Sequence, residues 1–170
     1  ADGTVSVVAE TSVSETSGTP EIFETSASRY ISPVFDSNSN KVVIAYMDQG
    51  ASSYGKAIVG TVDPSDNSIS FGTEVVFNSA STPGVAATFD STSNKVVVAY
   101  TDDGNSSRGY AKVGTVSGDS ISFGSASQFN SDSNYYTAMT YDSAQNRVVV
   151  AYKGQSSQTG YVNTGTVSGR

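Results

Sequence analysis

The chain contains no cysteine, no histidine and no tryptophan. Without cysteine there is neither a disulfide framework nor a thiolate zinc site, and stability has to come from packing. Without histidine the commonest general base, imidazole metal ligand and triad partner are missing. Charge is scarce as well: 15% of the 170 residues are Asp, Glu, Lys or Arg, and 16 acids against 9 bases leave a net charge of −7. That balance argues against a nucleic-acid backbone or an anionic membrane surface as the main partner. No apolar run approaches the roughly 20 residues of a membrane span, and residues 1–10 lack the basic and apolar regions of a signal peptide. A cleaved signal or a trimmed parent chain is compatible with this. Ser, Thr, Gly and Asn fill the polar positions instead, which suits an extracellular or particle-borne surface.

What the chain does have is a repeat. Residues 35–46, Phe-Asp-Ser-Asn-Ser-Asn-Lys-Val-Val-Ile-Ala-Tyr, align with residues 89–100 and again with residues 141–152, and the aspartates Asp36, Asp90 and Asp142 are 54 and then 52 residues apart. Gly-Thr-Val recurs at Gly3, Gly60, Gly114 and Gly165 in the same phase. So do Gly18, Gly72 and Gly124, each five residues before a phenylalanine: Phe23, Phe77 and Phe129.

Each copy contains four strand-like runs separated by turn chemistry, and no helical periodicity. In the second copy they are residues 85–89, 95–101, 110–116 and 120–129, the last with a break at Gly124. Asp-Ser-x-Ser-Asn joins the first two, with Asp holding an Asx turn and Asn taking the left-handed conformation. Val-Val-Ile-Ala-Tyr is apolar on both faces, as expected of a strand sandwiched between neighbouring sheets. The reading is all-β: three tandem four-stranded antiparallel meanders, preferred as β-propeller blades over a stacked solenoid. The whole of 1–170 is one repeat domain. Residues 1–29 are a spare outer-strand segment, 30–79, 80–131 and 132–170 are the three repeats, and the last lacks its outer strand. Three blades are too few for a ring of about 4 to 8. Either the spare strand completes a blade of another copy, making half of a six-bladed oligomer, or the chain is a partial propeller from a longer array.

This pattern, continued by Asp102-Asp103-Gly104-Asn105-Ser106-Ser107 and by Gly114-Thr115-Val116-Ser117-Gly118, resembles tandem repeats of tail-fibre-like and other structural proteins of marine bacteriophages, including cyanophages, and of marine bacterial surface proteins. The resemblance spans residues 3–170. It implies a virion or cell-surface location and a structural or attachment role, possessed of no catalytic residues to carry over. A bacterial adhesin or lectin-like surface protein is the alternative. Val7, Val8, Ala9, Glu10, Glu15 and the Lys153-Gly154 loop depart from the pattern.

The search for chemistry yields little. Asp102-Asp103 is the obvious carboxylate pair, and a solvated loop explains it better than a glycosidase-type acid pair. The glycines are spaced as turns, not as phosphate loops. Asp36-Asn38-Asn40 has the alternating oxygen rhythm of a calcium loop, but Lys41 follows it, no Glu closes it, and Thr92 and Ala144 break it in the other copies; a hairpin turn is favoured. No cofactor or metal is expected, and no enzyme. The expected partners are neighbouring blades or a second copy, and a host-surface glycan. A ligand would meet the loops between second and third strands, where Asp48, Gln49, Tyr54, Asp102, Asp103, Asn105, Arg108, Gln155 and Gln158 are the candidates and Tyr54, Tyr110 or Tyr161 offers a ring. The competing reading, slightly preferred because tryptophan is absent, is that these are solvated loops and packed tyrosines of a spacer.

Overall fold

The computed structural model describes residues 18–168. The motif at residues 3–5, the departures at residues 7–10 and 15, and the last two residues of the closing motif lie outside the described residues. Among the described residues twelve strands form two antiparallel sheets, and there is no α-helix. The first repeat supplies β1 (Ser28–Asp36), β2 (Lys41–Asp48) and β3 (Tyr54–Asp63) in meander order, followed by a broken fourth strand, β4 (Ser68–Phe71) and β5 (Val75–Asn78), both paired with β3. The second repeats this with β6 (Ala86–Asp90), β7 (Lys95–Asp102), β8 (Arg108–Ser117), β9 (Ser120–Phe123) and the first part of β10 (Ser127–Asp142). The third uses the second part of β10 with β11 (Arg147–Gly154) and β12 (Gly160–Gly165). Because β10 runs on unbroken, the second and third meanders are joined in one seven-stranded sheet, and the 131/132 boundary falls inside a strand.

The first hairpin of each repeat is made by one local device. The Oδ1 atoms of Asp36, Asp90 and Asp142 each accept the N–H groups two and three residues on, at 2.9–3.1 Å. Asn40, Asn94 and Asn146 then take φ of 57°, 55° and 54°, the left-handed geometry that asparagine tolerates better than other side chains. Asp36 thus closes a turn, as the sequence comparison favours over a calcium loop.

Both faces of β2 and β7 are used, whereas on β11 Val149 is only half-buried and Ala151 is exposed. Val43, Ala45, Ala57 and Val59 of the first repeat pack against Val96, Val98, Tyr100 and Ile121 of the second. Val97 and Ala99, on the opposite face of β7, pack against Val148 and Val150 of the third. Each valine or isoleucine side chain so withdrawn from water contributes about 1.5–3 kcal/mol. The phenylalanine at the end of each fourth-strand segment crosses to the next unit: Phe77, paired through β5 with the first repeat, sits 5.3 Å from the Tyr100 ring, and Phe129 sits 5.4 Å from Tyr152. Phe23, ahead of β1, makes the same contact with Tyr46 at 5.1 Å. Tilted and edge-on rings at these distances are favourable aromatic geometry. Two glycines let the backbones close up, since a Cβ built on Gly18 would lie 2.1 Å from the Asn67 carbonyl oxygen and one on Gly72 1.8 Å from that of Asp119.

Candidate functional site

The loops after β2, β7 and β11 lie along one edge of the molecule, tied by the connectors between repeats. Thr82 N–H donates to the Ser53 carbonyl, and Asp103 N–H to that of Ser81; Asn134 N–H donates to Ser107, and Gln155 N–H to Ser133, all at 2.9–3.0 Å. Each connector therefore bridges two successive loops, and the candidate residues stand in three loop clusters along that edge.

Most of their polar groups are engaged within the loops. Asp102 Oδ1 accepts from Gly104 N–H at 3.1 Å and from Asn78 Nδ2 at 3.2 Å, capping the short 3-10 turn Asp103–Asn105. The Asp103 carboxylate accepts the hydroxyls of Ser81 (2.7 Å) and Ser107 (2.9 Å). The adjacent acids thus point to different partners, which is the behaviour of a loop and not of an acid pair. Arg108 Nε donates to the Ser131 carbonyl at 3.1 Å. Asn105 donates to the Tyr110 hydroxyl, which donates in turn to Gln128 at 3.1 Å, leaving an exposed polar chain. Gln49 is exposed and holds the Ala27 carbonyl through its backbone N–H, while Tyr54 is half-buried at the start of β3. In the third loop the Gln158 amide donates to the Gln155 carbonyl. Gln155 also rims a small cavity of about 130 Å³ with Asn130, Tyr152 and Tyr161.

Asp48 is placed differently from the other loop candidates: it ends β2 as a buried carboxylate, and its Oδ2 lies 2.7 Å from Lys56 Nζ. Lys56 also meets Glu74 at 2.6 Å and Glu24 at 3.8 Å, and the single proton of the Tyr46 hydroxyl is within reach of both Glu74 (3.1 Å) and Glu24 (3.3 Å). A shallow depression of about 600 Å³, rimmed by Ile22, Glu24, Asp48, Lys56 and Glu74, opens over this cluster. The hydrogen bond from Ser26 N–H holds Glu24 below the usual carboxylate range. Burial works against the Asp48 anion, but the bonds from Lys56 and Gly50 N–H outweigh it and lower its pKa. Burial likewise disfavours the Lys56 cation, and Asp48 and Glu74 more than offset that, so the ammonium is held well above its ordinary value. Burial and then the bond to Glu74 push the Tyr46 phenol up. The cluster joins Glu24, β2, β3 and the Glu74 connector electrostatically.

Inspection of single loops misses this cluster. Its signal lies in the repeat alignment: Lys56 faces Tyr46 across β2 and β3, in the position where Tyr110 faces Tyr100 and Tyr161 faces Tyr152. In those two repeats the tyrosines stack at 6.3 Å and 5.6 Å. One lysine turns an aromatic stack into an ion cluster. The fold and these contacts define an all-β repeat protein. The sequence matches no protein-family model and no curated protein.

Proposed function

We propose that the chain is a non-catalytic structural or attachment module, its three repeats serving as β-propeller blades, displayed on a phage-like particle or a microbial surface. The observation that carries this reading is the junction made three times over, Phe23 on Tyr46, Phe77 on Tyr100 and Phe129 on Tyr152, with ring centroids 5.1–5.4 Å apart. A unit that hooks an aromatic side chain from its own fourth strand into the second strand of the next builds a stiff array by repetition. The engagement of Asp102, Asp103 and Arg108 within their loops favours a scaffold over a prepared ligand site. The exposed Asn105–Tyr110–Gln128 chain supports glycan contact as the more specific form of attachment.

A glycan-array screen of the intact chain, with and without calcium, tests the role. The scaffold role predicts no specific hit and no calcium-dependent change. A hit lost in Asn105→Ala, or in Tyr54→Phe, replaces it with recognition. Negative-stain images of the assembled protein test the closed form of the blade reading, which predicts a six-lobed ring with a central channel; rods of stacked sheets would reject that closed form.

A further inference from the structure

The two ends of the array each depart from its middle, and in opposite senses. At one end, residues 18–24 lie on the first repeat as the fourth-strand segments of the first and second repeats lie on their successors. Gly18 abuts Asn67 as Gly72 abuts Asp119, and Phe23 meets Tyr46 and Phe71 (5.1 and 6.2 Å) as Phe77 meets Tyr100 and Phe123 (5.3 and 5.6 Å). Yet among the described residues this segment is paired with no strand, whereas β5 and the first part of β10 are paired with β3 and β8. It is the counterpart of a fourth strand, with no sheet partner among the described residues.

At the other end stands β12, the counterpart of a third strand. Among the described residues β12 pairs only with β11, and all six of its residues are exposed. The face behind it is open too. Val43, Ala45, Ala57 and Val59 are 0% exposed where the first repeat meets the second. Their counterparts in the third repeat are Val149, which is half-buried, Ala151 and Thr164, which are exposed, and Val162, which is 67% exposed. An unpaired edge beside an apolar face is a template for strand addition.

We infer that a second copy of this chain fills both vacancies, residues 18–24 of each copy adding to β12 of the other as the missing fourth strand. This rests on the blade reading and extends it by naming the partner and the register. The two pairings already present fix that register. Gly55, Lys56 and Ala57 face Asn78, Val76 and Val75; Gly109, Tyr110 and Ala111 face Asn130, Gln128 and Ser127. Carried one repeat in each direction, Gly160, Tyr161 and Val162 of one copy face Glu24, Ile22 and Glu21 of the other. Ile22 and Tyr161, 75% and 44% exposed, then cover one another, and Phe23 is tied to the partner's sheet as Phe77 is tied to β3. The contact is head-to-tail, so it closes only if the rotation per repeat allows. Two copies give six repeats, within the usual range for a ring.

Because the chain has no cysteine, engineered thiols report this contact cleanly. Ile22→Cys and Tyr161→Cys chains, mixed and oxidised, are expected to form a covalent dimer that neither variant forms alone, and Ile22→Cys with Thr164→Cys should form at least tenfold less. The unmodified chain should sediment at twice its monomer mass at micromolar concentration. A monomer with an intact β-sheet spectrum and no cross-link overturns the exchange while leaving the blade reading standing. Self-linking of Ile22→Cys alone overturns it as well, since like strands would then be meeting. Cross-linked filaments in place of rings keep the exchange and reject the closed propeller.

Discussion

Three residues at equivalent places in the repeats show how a single backbone angle is managed. Tyr30, Gly84 and Tyr136 have φ of 51°, 65° and 55° at the start of the inner strands, and only the middle repeat uses glycine. The two tyrosines are 42% and 75% exposed, so little packing compensates the left-handed geometry. We expect Tyr136→Gly to raise stability, by about 1 kcal/mol, and Gly84→Ala to lower it by about as much, read as shifts in the urea midpoint. The Lys56 cluster makes a pH-dependent prediction. Glu24 and Asp48 are held below their ordinary values, so the stability they contribute is complete above the unfolded-state pKa of about 4 and is lost as the pH falls through the lowered folded values. Lys56, shifted upward, contributes fully below its unfolded pKa and loses that contribution only at strongly alkaline pH. Lys56→Met leaves three carboxylates facing each other and should cost about 3 kcal/mol at neutral pH. Its deficit should shrink on acidification toward about pH 3, as the repelling acids take up protons. A deficit that grew on acidification would contradict the cluster.

At the scale of elements, the fourth-strand hook carries the junctions. Phe77 is 2% exposed and touches Tyr100 and Phe123, so Phe77→Ala should cost about 3–5 kcal/mol. Phe129, half-buried with Tyr152 beside it, should cost less; equal costs would mean that the two junctions do not differ in packing. The hairpins were legible in the sequence because an Asx turn is made by residues two and three apart, and Asp36, Asp90 and Asp142 announce it. The break at Gly124 was legible for the same reason, as it is local. The continuity of β10 could be seen only afterwards: residues 79–85 contain Pro83 and Gly84, which interrupt the path from β5 to β6, whereas residues 131–137 contain neither, so the strand runs through. The loop candidates were found as loops. What their side chains do was not visible, since Asp102 is answered by Asn78 at the end of β5 and Asp103 by Ser81 in the connector after it, each some twenty residues away. The Lys56 cluster was hidden in the same way, with Glu24, Asp48 and Glu74 brought together only by strand pairing and docking.

At the scale of the molecule, the array behaves as a line of units whose stability is set by how many neighbours each one has. The second repeat has one on either side, and in it residues 96–100 are no more than 4% exposed. The first repeat has the second on one face and residues 18–24 on the other, which is enough to bury Ile44, Tyr46 and Ile58. Among the described residues the third has the second on one face and nothing on the other, leaving Ala151 and all of β12 exposed. Amide exchange should therefore be slowest at residues 96–100, intermediate at 42–46 and fastest at 148–152, although all three segments are central strands of near-identical sequence. Sequence-governed protection would make the three equal, and that outcome would reject the neighbour argument. The same measurement made over a range of protein concentrations separates intrinsic from borrowed stability. Residues 96–100 draw nothing from a second copy, so their protection should not change with concentration. If a second chain docks as proposed, residues 160–165 gain a strand, and their protection should then rise with concentration. Concentration-independent exchange at β12 beside a slow central strand would mean that its edge stays open in solution.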